Sequence, residues 1–221
     1  MIRMICCAVV LLGFITQGDG QSRFLREGNT GTVLFDDSWK FARFGMQADG
    51  STLPEPTGVE ATGYPDNGWQ QLDLPHDWAI AGPFRIELAG NTGKLPWKGI
   101  GWYRKHFTLQ GMDRHKRVFL DFDGAMAYAK IWVNGSYAGT WPYGYSSFRM
   151  DITPYLKADG KNVVAVRLDT EEWDSRWYPG AGIYRHVWLV ETSPVHVGHW
   201  GTYITTSDGP SGSAEVQMKI Q

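Results

Sequence analysis

Tyr128-Ala129-Lys130-Ile131-Trp132-Val133, Asn134-Gly135, Ser136-Tyr137-Ala138-Gly139-Thr140-Trp141: two runs rich in aromatic and β-branched residues meet at an Asn-Gly pair. Asn and Gly both tolerate positive φ, the requirement of the tight turn whose twist matches the strands it joins. A hairpin is therefore expected, with strands over residues 128–133 and 137–141. Working outward, residues 117–123 alternate apolar and polar side chains as a half-buried strand does. Residues 102–109, 162–168 and 186–190 read as further strands. No helical period is persuasive, and at most a turn is expected near residues 152–156. Many short strands joined by aromatic-rich loops predict an all-β protein, a two-sheet β-sandwich of the jelly-roll kind, with a barrel as the alternative.

Composition agrees and excludes other classes. The chain has 221 residues, 21 basic and 23 acidic side chains and a formal charge of −2, so it lacks the basic face that nucleic acid or an anionic membrane requires. Gly at 27 and Pro at 11 suit strands and turns rather than a helical bundle. Eleven Trp, ten Tyr and ten Phe exceed what packing alone needs, which points to extensive contacts with a ligand, a neighbouring domain or a homo-oligomer.

The first twenty residues have a different character. Arg3 precedes the apolar run 4–15, and Gly18-Asp19-Gly20 supplies small residues before Gln21, the layout of a secretory signal peptide over residues 1–20. The run is shorter than the ~20 apolar residues of a membrane span, so no span is expected after cleavage, and the protein is read as exported to the periplasm or beyond the cell. Both cysteines, Cys6 and Cys7, fall inside this leader. With no Cys cluster and no close His pair, neither a metal site nor a cofactor is indicated. After Ser193-Pro194 the texture changes again. Residues 195–205 read as a strand, 208–212 as a turn and 214–220 as a strand, and two strands cannot bury a core of their own. The tail is read as the start of an incomplete domain, with a terminal hairpin packed onto the sandwich as the alternative.

Four stretches go beyond composition: Leu74-Pro75-His76-Asp77-Trp78, Gly99-Ile100-Gly101-Trp102-Tyr103-Arg104-Lys105, Ile131-Trp132-Val133-Asn134-Gly135, and Arg176-Trp177-Tyr178-Pro179-Gly180-Ala181-Gly182-Ile183-Tyr184-Arg185. In this order and spacing they resemble the amino-terminal sugar-binding domain of glycoside hydrolase family 2, the family of β-galactosidases, β-glucuronidases and β-mannosidases. The resemblance implies a jelly-roll domain over residues 30–193, beside the first strands of an immunoglobulin-like domain over 194–221. It also implies a catalytic TIM barrel that carries both glutamates of a retaining mechanism, so no catalytic residue is expected within this chain. The partners implied are a β-linked sugar or oligosaccharide and that barrel. A free-standing carbohydrate-binding module or a cell-surface scaffold is the alternative.

Sugars are held by carboxylate and amide groups on hydroxyls and by aromatic faces on the C–H side of the ring. Asp169, after the strand 163–168, is the first candidate, because the resemblance implies an acidic residue there near the sugar. A carboxylate at this position favours a neutral hexose over an acidic one. Asn91 and Trp97, in a loop punctuated by Gly and Pro, are the second and third. Trp173, Trp177, Tyr178 and Arg185 are assigned by the resemblance to the interface with the barrel. Two other groupings are set aside. Glu171, Glu172 and Asp174 read as a solvated or ion-paired run rather than a catalytic pair. His76 and Asp77 are adjacent, and neighbouring residues on a strand face opposite ways, so they do not form a base and its orienter.

Overall fold

The computed structural model describes residues 31–88, 90, 93–109, 113, 115–157, 160–170 and 180–221. The leader expected over residues 1–20 lies outside them. Thirteen strands are described: β1 (Gly31–Leu34), β2 (Trp39–Met46), β3 (Thr52–Leu53), β4 (Gln70–Leu72), β5 (Ile100–Thr108), β6 (Arg117–Phe122), β7 (Ala129–Val133), β8 (Ser136–Trp141), β9 (Phe148–Asp151), β10 (Lys161–Asp169), β11 (Val187–Thr192), β12 (Thr202–Asp208) and β13 (Ala214–Ile220). The only helical pieces described are short 3-10 turns, one at Thr153–Tyr155 where the sequence predicts a turn.

A four-stranded sheet in the order β1-β11-β6-β9 packs on a seven-stranded sheet in the order β3-β2-β5-β10-β7-β8, with β4 on β2. Both sheets have open edges, which favours the sandwich over the barrel alternative. The hairpin β7–β8 turns at Asn134 (φ 53°) and Gly135 (φ 82°), the pair of positive angles that this two-residue turn demands. Asn134 adds a second fastening: its Nδ2 donates to Tyr155 O and Asn162 Oδ1, each at 2.8 Å.

Period-2 alternation gives β10 two different faces. Val164, Val166 and Leu168 enter the main core with Trp39, Tyr103, Leu120, Phe122 and Ile131, all essentially inaccessible to water. Ala165 faces the other way and joins Phe44, Val59, Ile100 and Trp102 in a second cluster. That outer face is covered by the irregular segment 54–69, fastened in large part by the Asp66 carboxylate. Asp66 accepts from Lys40 Nζ (2.8 Å), Arg104 Nε (2.9 Å) and His106 Nε2 (2.9 Å), and Arg104, fully buried, also donates to Val59 O. Burial works against the Asp66 charge, but these three donors outweigh it and hold its carboxyl far below the usual carboxylate range.

The tail differs in one respect from its sequence reading. The first strand begins at Thr202 rather than at residue 195, and residues 195–201 are an irregular connection in which the His196 ring lies 5.7 Å from that of Phe119. Strands β12 and β13 pair in full register from Thr202↔Ile220 to Asp208↔Ala214. Every residue of both strands is exposed, which fits a hairpin with no core of its own.

Candidate functional site

Strand directions gather one set of loops at one end of the sandwich. Strand β2 ends there, β10 ends at Asp169, β5 begins opposite it at Ile100, and β7 begins nearby. Asp169 closes β10 rather than following it, and its backbone N–H donates to Ala127 O at 2.8 Å. Its carboxylate Oδ2 accepts from Arg167 Nη1 at 3.0 Å and its side chain keeps 23% of its surface exposed.

Arg167 is itself held. Its Nε and Nη2 donate to Glu55 Oε1 and Oε2 at 2.6 and 2.9 Å, a two-pronged pairing across 112 residues. Glu55 Oε1 also accepts from Trp102 Nε1 at 2.6 Å. Trp102 is the cross-strand neighbour of Arg167 and stacks on Trp132 with centroids 5.2 Å apart. Burial pushes the Glu55 carboxyl up, but the Arg167 and Trp102 hydrogen bonds overcome it and keep it below its ordinary value. Burial likewise works against the Arg167 charge, and Glu55 and then Asp169 raise its pKa above the ordinary guanidinium value. The result is a fixed chain Glu55–Arg167–Asp169 that places the Asp169 side chain at the loop end.

The sequence reading missed Glu55 and Arg167. Arg167 carried a usable signal, being a cation within the apolar run 163–168, two residues before Asp169 and hence on the same face. Glu55 carried none, because its pairing is long-range.

Trp97 is buried, 5% exposed, and belongs to the main core. Its carbonyl accepts from Trp78 Nε1 and from Thr170 Oγ1, both at 2.9 Å, so the loop before β5 is fastened to the residue after Asp169. Trp97 also lines a cavity of about 380 Å³ with Arg43, Arg85, Leu88, Leu95 and Lys98. Asn91, Trp173, Trp177 and Tyr178 lie outside the described residues, as do Glu171, Glu172 and Asp174. Arg185 is exposed and stands over the Tyr184 ring at 5.7 Å.

His76 Nδ1 is 2.8 Å from the Tyr103 hydroxyl, while Asp77 Oδ1 accepts from Ala79 N at 2.9 Å, so the two side chains serve different partners. Burial drives the His76 pKa down to about 4, which keeps the ring neutral. No group of three or more metal-ligating side chains occurs among the described residues. No helix among them is long and apolar enough to cross a membrane.

The family model described as "Glycosyl hydrolases family 2, sugar binding domain" matches residues 34–193. The chain belongs to glycosyl hydrolase family 2. Its family 2 domain is 48% identical to β-galactosidase BoGH2A of Bacteroides ovatus over 176 residues, 78% of this chain and 19% of that protein. It is 44% identical to a candidate β-glucuronidase of Formosa agariphila over 193 residues, 86% of this chain and 17% of that protein. Among solved structures, a β-glycosidase from Bacteroides vulgatus superposes with a TM-score of 0.71 at 35% identity, over 86% of this chain and 24% of that one. The chain thus spans about a fifth of the length of the curated relatives it matches. The part it matches is the non-catalytic sugar-binding domain of this family of β-glycosidases.

Proposed function

We propose that the chain is the sugar-binding part of an exported, β-galactosidase-like glycosidase that works by a retaining mechanism. The two catalytic carboxyls, which such a mechanism holds ~5–5.5 Å apart, belong in this reading to a TIM barrel outside these residues. The domain contributes binding energy at the sugar, which accelerates the reaction where it strengthens in the transition state. Asp169 accepts from sugar hydroxyls, Asn91 adds an amide partner, and Trp97 backs the pocket from the core. Trp173, Trp177, Tyr178 and Arg185 meet the barrel, and residues 194–221 open an immunoglobulin-like domain.

One observation carries this reading. Asp169 is a partly exposed carboxylate at the loop end of a family 2 sugar-binding domain, oriented by an arginine that is itself clamped. A charge fixed in place beforehand binds hydroxyls without a further ordering cost. The test is Asp169→Asn in the whole enzyme, assayed on a β-galactoside and a β-glucuronide. A loss of kcat/KM of tenfold or more supports the assignment, and unchanged turnover and KM for both substrates sink it. The β-glucuronide belongs in the assay because the Formosa agariphila relative bears that substrate's name.

A further inference from the structure

The cavity at the loop end has a chemistry that a neutral hexose does not use. Its described lining includes three basic side chains, Arg43, Arg85 and Lys98, and one carboxylate, Glu87, which Arg85 holds in an ion pair at 2.5 Å, so Arg43 and Lys98 supply the excess charge beside apolar surface from Trp97, Leu88 and Leu95. At about 380 Å³ it is large enough for a single pyranose, within the usual ~300–1,000 Å³ of ligand sites.

The walls are built rather than incidental. Arg43 Nη2 donates to Pro96 O (2.8 Å) and Lys98 O (2.6 Å), tying strand β2 to the loop before β5. Arg85 Nη1 donates to Ala48 O at 2.9 Å, tying that loop to the turn after β2. The loop also closes on itself, with Arg85 N donating to Lys94 O at 2.9 Å and Lys94 Nζ to Ile86 O at 2.7 Å. The charges are therefore held around a space whose shape the backbone maintains. Lys98 Nζ rests 5.9 Å from the Trp97 ring centroid and makes no ion pair among the described residues.

We propose that this cavity is a second saccharide subsite, one that takes a pyranose bearing a carboxylate or sulfate group next to the residue held at Asp169. With Arg85 offset by Glu87, the Lys98 ammonium is the oxyanion partner and Arg43 adds to the excess of positive charge, whose field a walled cavity concentrates inside. The apolar side chains serve the C–H face of the same ring. The two subsites adjoin through Thr170, whose N–H donates to Gly99 O at 3.0 Å and whose Oγ1 donates to Trp97 O at 2.9 Å. The acidic group is thereby kept at the basic cavity while Asp169 handles neutral hydroxyls. The proposal rests on the sugar-binding reading above, and its test separates the two.

Binding of methyl β-galactoside, methyl β-glucuronide and methyl β-galactoside 6-sulfate to the whole protein is measured by titration calorimetry at low ionic strength. At least one charged glycoside is expected to bind fivefold or more tighter than the neutral one. Preference for the glucuronide alone names a uronate, and preference for the sulfated sugar alone names a sulfate ester. Lys98→Gln keeps the backbone carbonyl that Arg43 uses, and it is expected to reduce the preference at least threefold, with Lys98→Arg restoring it. Equal affinities for all three glycosides, or a preference that Lys98→Gln and Arg85→Gln both leave intact, overturn the cavity assignment. Asp169→Asn is expected to weaken the neutral glycoside while the charge preference persists. If it affects none of the three, the Asp169 reading falls and the cavity stands.

Discussion

Trp78 lies flat against Gly101: a Cβ at Gly101 would sit 2.3 Å from Cζ3 of the Trp78 ring. The contact joins two of the four motifs, because Trp78 ends Leu74-Pro75-His76-Asp77-Trp78 and Gly101 lies within the stretch 99–105. Trp78 Nε1 donates to Trp97 O, so the same ring that needs the glycine also anchors the loop beside the candidate site.

Gly101→Ala is therefore expected to destabilise the domain by about 1–3 kcal/mol, the usual range for overpacking in a close-packed core. Denaturant unfolding followed by Trp fluorescence would check this. A midpoint equal to that of the unmodified chain rules out the contact as a packing constraint.

Asp66→Asn is expected to cost more, on the order of 3–5 kcal/mol, because it leaves the buried Arg104 guanidinium without its counter-charge. Lys40→Met, which removes a partner 26% exposed, is expected to cost under about 1 kcal/mol. The contrast between the two midpoints is the measurement. Equal effects would mean that segment 54–69 is not held by Asp66.

On the proposed role of Asp169, Arg167→Met and Glu55→Gln are expected to alter sugar binding through it. Arg167→Met is expected to weaken galactoside binding several-fold, and Glu55→Gln by less. Combined with Asp169→Asn, neither is expected to add its full single effect, since residues in one ion-paired chain couple by ~0.5–3 kcal/mol. Calorimetric affinities for the double-mutant cycle decide it, and strict additivity would separate Arg167 from the site.

Stability is expected to fall between pH 6.5 and pH 4 through His76. Its folded pKa, about 4, lies below its unfolded value, so the unfolded chain takes up a proton that the folded one refuses. The contribution is complete above pH 6.5 and is lost as pH falls toward 4. After allowance for the partial exposure of the ring it is on the order of 2 kcal/mol. His76→Gln should flatten that part of the stability profile relative to the unmodified chain. Superimposable pH profiles would remove His76 as the cause.

What was legible in the sequence was local. The Asn134-Gly135 turn, the alternation in β6 and the apolar run of β10 each depend on neighbours a few residues away. The 3-10 turn at Thr153–Tyr155 belongs with them, and all lie where the pattern puts them. The place of Asp169 at the end of β10 was legible because the strand was, while its proposed role came from the family resemblance. Hidden were the features made by distant residues: the Glu55–Arg167 pair, the three-way hold on Asp66, and the cavity walls assembled from residues 43–50 and 85–98. Ser193 to Gly201 misled because Val195 and Val197 suggest a strand, although the segment finds no partner strand.

The two ends of the sandwich are unequal. One includes the two-residue turn at Asn134-Gly135, which leaves almost no room for variation. The other gathers the loops beyond β2 and before β5 and the residue Thr170 after β10, braced to one another by carbonyl hydrogen bonds rather than by strands. Such a layout is modular: loop grafts and insertions can rewrite what the domain recognises while the strands that make it fold stay untouched. On the proposed cavity assignment, an effort to retarget sugar binding should exchange residues 85–98 and leave 128–141 alone.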